Sequence, residues 1–216
     1  MAENVRRDPF ARPGKVHRED AEIEFSRVVA FSDGVFAIAI TLLVLALEVP
    51  AGVDDLAQEL VDLNPNLIAY ALSFAVVGRF WLSHHRFYGS LARFDGTLMG
   101  LNIFYLAWVC LVPFSSELLG EYSENTTSTV VYAVNMAGAS ATFVIQIFYA
   151  YRAGLIREEA KAAERRYAGP ANFVVVAVFL ASIPVAFVST VAAQAMWLAI
   201  FAVGRRAGDW IARRQT

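Results

Sequence analysis

Arg27, Ser32 and Asp33 stand in the stretch "RVVAFSDGVFAIAITLLVLALEVP", just ahead of a run from Gly34 to Leu47 that no charge interrupts. An ionisable group inside a lipid-spanning helix costs about 2.5–3.5 kcal/mol even on lenient scales, so it marks a functional position by default. It can carry an ion, relay a proton, or hold a helix through a polar bond. Arg79, His84, His85 and Asn102 are polar residues in similarly apolar surroundings. At about 1.5 Å of rise per residue, Asp33 lies about 9 Å, Arg79 about 12 Å and Asn102 under about 10 Å from the same side of the membrane. Groups at matched depth can satisfy one another. The expected partners of Asp33 are therefore Arg79, His84, His85 and Asn102.

Other chemistries find little to work with. Adjacent residues on a helix point about 100° apart, so His84 and His85 make a poor pair of metal ligands. There is no HExxH, CxxC, GxSxG or glycine-rich phosphate loop in the chain. No nucleophile sits beside a base, and the expectation is no catalytic residue, no resident metal and no cofactor. The single cysteine, Cys110, lies in an apolar run and cannot form an internal disulfide. With a net charge of −2 there is no basic field for nucleic acid.

The elements that must position these groups are membrane helices. Of the 216 residues, 57% are hydrophobic and 18% charged, which is too apolar for an ordinary soluble domain. Four runs, near 28–49, 65–87, 98–119 and 129–151, reach the length of about 20 residues that a span needs. The block from Tyr167 to Gly204 carries no charge over 38 residues, enough for two short spans with a turn at Ser189-Thr190. The 18 Lys and Arg decide the count. Six precede or open the first span, three sit around the second connection, five in the fourth and four at the C-terminus. The first, third and fifth connections have none, and the first and third hold acidic residues. Only six spans put every cation on one side, which the positive-inside rule makes cytoplasmic.

The expected architecture is all-α, with six transmembrane helices and both termini cytoplasmic. It divides into a cytoplasmic segment 1–26, a membrane domain 27–210 and a tail 211–216. The first 24 residues, polar and without an apolar core region, read as neither a signal peptide nor a fixed element. "REEAKAAERRYAGP" has helix-forming composition and is expected to prolong the fourth span into the cytoplasm. Asn125-Thr126-Thr127 fits a glycosylation sequon on the outer side.

A helical wheel separates the first span into faces. With Ile38 at 0° and about 100° per residue, Phe31, Thr41, Leu42, Leu45 and Glu48 form one stripe. Asp33, near about 220°, and Ser32, near about 120°, lie off it. Whatever the stripe faces, Asp33 faces something else.

These segments carry a resemblance. "RVVAFSD" matches the R-x-x-x-F-S-D signature that opens the first helix in the transmembrane protein 175 family of potassium channels. "FWLSHHRFYGSLARFD" and "LNIFYLAWVCLVPFSSEL", the latter with Asn102 and Pro113-Phe114, continue the match. The last three spans agree with the family in length and hydropathy only. The resemblance implies a homotetramer in the bilayer, with the first helix of each subunit lining a central pore and no pore-loop filter. It implies a constriction at Ile38, further rings at Leu42 and Leu45, and pore hydroxyls from Thr41. Glu48 would stand at the outer mouth and gather monovalent cations. Arg27, Ser32, Asp33, Arg79, His84, His85 and Asn102 would be a structural polar network. The implied activity is potassium-preferring conduction through a prokaryotic cell membrane, gated by hydrophobic rings. The alternatives are a proton leak or an ion-coupled secondary transporter, with a membrane enzyme or assembly factor further off.

Overall fold

A computed structural model describes residues 13–48, 56–163, 169–198 and 200. Among these residues the chain is helical apart from one isolated bridge. The elements are α1 (Pro13–Leu42), a 3-10 turn Leu43–Ala46, α2 (Leu56–Asp62), α3 (Asn64–Gly89), α4 (Gly96–Cys110) and α5 (Val112–Glu121). There follow α6 (Thr126–Arg152), α7 (Glu158–Ala163), α8 (Gly169–Ala186) and α9 (Thr190–Trp197). Four stretches are long and apolar enough to cross a bilayer: Phe25–Ala46, Asn64–Gly89, Gly96–Glu121 and Thr126–Arg152. They coincide with the first four spans expected from hydropathy.

The helix ends follow local chemistry. Asp95 caps α4 by accepting from Leu98 N at 2.9 Å. Asn125 of the sequon caps α6, its side chain accepting from Thr127 N at 2.8 Å. The third span is two helices, because Pro113 has no N–H to give the carbonyl one turn back. Its break falls at Leu111, whose N–H turns to Trp108 O at 3.2 Å.

Two expectations are corrected. The fourth span does not continue through "REEAKAAERRYAGP". Gly154, at φ 65°, ends α6. The Leu155 N–H then reaches Ala150 O at 2.9 Å, and that of Gly154 reaches Tyr151 O at 3.4 Å, the hydrogen bonds of a Schellman cap. Helix propensity in the following residues produces only the separate short α7. The N-terminal stretch is not irregular up to residue 24 either, since α1 already begins at Pro13, where a proline's missing N–H costs nothing.

The expected turn near Ser189 is present. Ser189 caps α9 by accepting from Ala192 N at 3.2 Å, and α9 folds back on α8, with Trp197 Nε1 donating to Ser182 Oγ at 2.8 Å. Pro184 lies inside α8 rather than at the break. The remainder of the sixth span, the tail 211–216, residues 1–12, and Asp54 and Asp55 lie outside the described residues.

α6 is the centre of the bundle, packed by α4, α5 and α8. Its Gly138 lets the Trp108 ring of α4 lie directly on the helix, where a Cβ would stand 2.7 Å from ring carbons. Ser73 Oγ bonds Tyr132 Oη at 3.1 Å, and Asn135 Nδ2 donates to Ser115 Oγ at 2.9 Å. Buried polar groups without water to meet must pair in this way.

Candidate functional site: the two faces of the first helix

α1 packs against α3 and α4 with Ser32, Phe36 and Ala39 buried, and Leu43, which opens the 3-10 turn, continues the buried row. Their spacing of four, three and four residues is one helical face. The opposite face carries Phe31, Ile38, Thr41 and Leu42, followed by Leu45 in the 3-10 turn and Glu48 beyond it, all exposed in the single chain. Ile38 is 60% and Leu45 71% exposed. Thr41 donates its hydroxyl to Ile38 O at 2.8 Å, so the Oγ lone pairs remain directed away from that carbonyl.

On the packed face, a chain of hydrogen bonds crosses three helices. Ser32 Oγ donates to Val28 O at 2.9 Å. Its oxygen therefore accepts from Asn102 Nδ2, also at 2.9 Å. That places Asn102 Oδ1 toward His84 Nε2, again at 2.9 Å. A carbonyl oxygen only accepts, so His84 is the Nε2–H tautomer and leaves Nδ1 as a bare acceptor. Nδ1 has no hydrogen-bond partner. The ring is held by aromatics instead: Tyr88 stacks on it at 4.1 Å, with Phe36 and Tyr105 beside it at 5.6 and 5.8 Å. His84 is fully buried and Asn102 nearly so.

Asp33 has a different partner from the one expected. Trp81 Nε1 donates to Asp33 Oδ1 at 2.8 Å. No hydrogen bond or ion pair joins Asp33 to Arg79, His84, His85 or Asn102 among the described residues. The reason lies in the helix period. Arg79 and Trp81 are two residues apart on α3, about 200° round the axis, so the face that offers Trp81 to Asp33 turns Arg79 away. His85, one turn beyond Trp81, is exposed and lies against the indole at 5.4 Å.

Trp81 was absent from the sequence-derived residues. The available signal was its indole N–H, a donor that needs a partner when buried, within the polar segment that ends α3. Arg27 is exposed and lines a groove of about 310 Å³ between α1 and α4, with Phe31, Met99, Asn102 and Ile103. Glu48 is exposed beyond the 3-10 turn. No group of three or more potential metal ligands occurs among the described residues.

This arrangement presents an unpaired, mostly apolar face on one side of α1 and ties the other side to α3 and α4. The family described as endosomal/lysosomal potassium channel TMEM175 matches residues 27–113, from Arg27 to Pro113. A potassium channel of Streptomyces collinus is 41% identical over 137 residues, covering 61% of this chain and 66% of that one. The human endosomal/lysosomal proton channel TMEM175 is 35% identical over 123 residues, covering 51% of this chain and 24% of that one. The matched stretches are thus just under two thirds of the bacterial relative's length and about a quarter of the human protein's. The crystal structure of a lysosomal potassium-selective channel TMEM175 homolog from Chamaesiphon minutus superposes with a TM-score of 0.76 at 29% identity, over 85% of this chain and 98% of that one. These relatives are ion channels by name, and none is an enzyme. With its signature segment, its apolar helices and a fold shared almost end to end with that homolog, the chain is similar to the TMEM175 family over residues 27–113 and to a TMEM175 homolog in overall fold.

Proposed function

We propose that the chain is a subunit of a potassium-preferring cation channel, a homotetramer in a prokaryotic plasma membrane. The observation that carries this reading is the unpaired face of α1. Phe31, Ile38, Leu42 and Leu45 are exposed there although α1 belongs to the most apolar of the spans. Copies arranged around an axis with this face inward bring the side chains into rings. Ile38 forms the narrowest ring, with Leu42 and Leu45 beyond it, and small changes in diameter wet or dry the passage. Thr41 supplies oxygens that offset part of an ion's dehydration. Glu48 concentrates cations at the outer mouth.

Arg27, Ser32, Asp33, Arg79, His84, His85 and Asn102 act as a scaffold in this reading and do not touch the ion. The Ser32–Asn102–His84 chain and the Trp81–Asp33 bond fix the angle of α1, and therefore the angle of its pore face. Arg27, on the open groove beside Phe31, is placed to work between subunits. Six spans with both ends cytoplasmic complete the topology, supported by the one-sided distribution of cations.

Proton permeation is the second reading, favoured by the names of the vertebrate relatives. Single-channel recording after reconstitution, in potassium, sodium and proton gradients, separates the two. The wild type is expected to show potassium-preferring steps, and Ile38→Asn to show raised leak with weaker discrimination. Unchanged currents in Ile38→Asn place the constriction elsewhere. A reversal potential that follows pH rather than potassium favours the proton reading.

A further inference from the structure

At the basic end of the bundle, two connectors are stitched together. Leu91 and Ile156 form an antiparallel bridge. Ala92 N donates to Leu155 O at 2.7 Å, and Arg157 N to Ser90 O at 3.0 Å. Ser90, Leu91, Leu155 and Ile156 are buried, so the stitch is a packed feature rather than a chance contact of loops. It holds Arg93 and Arg157 on adjoining backbones. The Arg93 guanidinium also donates to Gly154 O at 3.3 Å, and Arg152 lies two residues before that glycine. Three cations are thereby gathered on hydrogen-bonded backbone. No carboxylate of a described residue pairs with any of them, the ion pair among the described residues being Lys161–Glu158.

Arg152 has a second relationship. Its guanidinium carbon stands 5.0 Å over the Phe148 ring. Phe148 is 60% exposed, and Ile145, three residues earlier on the same face of α6, is exposed as well. Along α6 the order is therefore exposed aliphatic, exposed aromatic, cation. An amphiphile with an anionic head has the complementary order.

We propose that an anionic phospholipid docks at this corner. Its phosphate sits among Arg93, Arg152 and Arg157, and an acyl chain lies along Phe148 and Ile145. Guanidinium groups match phosphate oxygens in both charge and geometry. A soluble phosphate meets the same cations but has nothing to cover the apolar strip, which is why a lipid is the better occupant. The site depends on the membrane reading of α6 and is independent of which ion the protein conducts.

The test is native mass spectrometry of the full chain released from detergent in the presence of phosphatidylglycerol or phosphatidylcholine of identical acyl chains. The wild type is expected to retain phosphatidylglycerol in preference. Arg152→Gln with Arg157→Gln should lower that preference at least fivefold, since neither side chain makes a hydrogen bond to a described residue and assembly is expected to survive. Phe148→Ala should weaken retention of both lipids alike. An unchanged preference in an intact double variant overturns the proposal, as does a wild type with no preference. Excess glycerol phosphate added to the wild type addresses the other source of phosphate and needs no variant. Failure of that excess to displace the lipid supports the site, and full displacement assigns the cations to a soluble anion instead. Because the readout is binding, a chain that conducts nothing still decides the question.

Discussion

α1 and α6 are both long, apolar membrane helices, and they use their surfaces in opposite ways. In the most apolar stretch of α6, 61% of residues are buried inside the chain, against 22% in that of the span that starts at Phe25. α6 is packed by its own neighbours over most of its surface, and its polar residues Tyr132, Asn135 and Gln146 bond side chains on α3 and α5. α1 ties Ser32 and Asp33 to α4 and α3 and leaves the face of Ile38, Thr41 and Leu42 to whatever lies outside the chain. The contrast separates scaffold from working surface. A helix wrapped on most sides is read through the stability of the fold. A helix with one tied face and one open face is read through assembly and conduction.

Substitutions can break that contrast, beginning with the largest effect. Gly138→Leu drives a side chain into the Trp108 ring at the centre of α6. Overpacking there should cost at least about 3 kcal/mol, seen as loss of a monodisperse peak in detergent. A well-behaved Gly138→Leu protein denies α6 its central role. Next comes Asn102→Leu, which leaves the buried Nε2–H of His84 without an acceptor and removes the donor to Ser32. The expected loss is about 2–3 kcal/mol, measured by thermal unfolding. Asn102→Asp, which keeps an acceptor, should be milder if the tautomer deduced for His84 is right.

Asp33→Ala and Trp81→Phe test the tie on the other flank of α1. Each should cost about 1–2 kcal/mol and reduce the yield of assembled channel without changing ion preference. The double variant should cost little more than either single one, because both remove the same bond. Altered selectivity in a normally assembled Asp33→Ala channel would move Asp33 from the scaffold into the ion path. Smallest in stability is Leu45→Ala, on the open face. Its effect on unfolding should stay within about 0.5 kcal/mol, while open probability or leak changes. A large stability loss at Leu45 would show that the open face is covered by the chain itself.

The first four spans were legible because crossing a bilayer demands length and apolarity, and both are local properties. The division of α1 into two faces was legible for the same reason. A helical period of 3.6 assigns each residue an angle before any neighbour is known, and the exposed stripe of Phe31, Ile38, Leu42 and Leu45 is the one drawn on the wheel. The turn at Ser189 is likewise short-range chemistry.

Pairing was another matter. Depth alone put Arg79 level with Asp33, and charge made it the natural partner. The rotation of α3 about its axis gave the bond to Trp81 instead. The end of α6 at Gly154 and the stitch to Leu91 were equally hidden, because they depend on two connectors far apart in the chain arriving side by side. Sequence by itself determined where the four long spans lie and which way each residue points from its own axis. Only the tertiary structure decided which axis stands opposite which, and at what rotation. A hydrogen bond forms or fails within fractions of an ångström, whereas hydropathy is averaged over twenty residues.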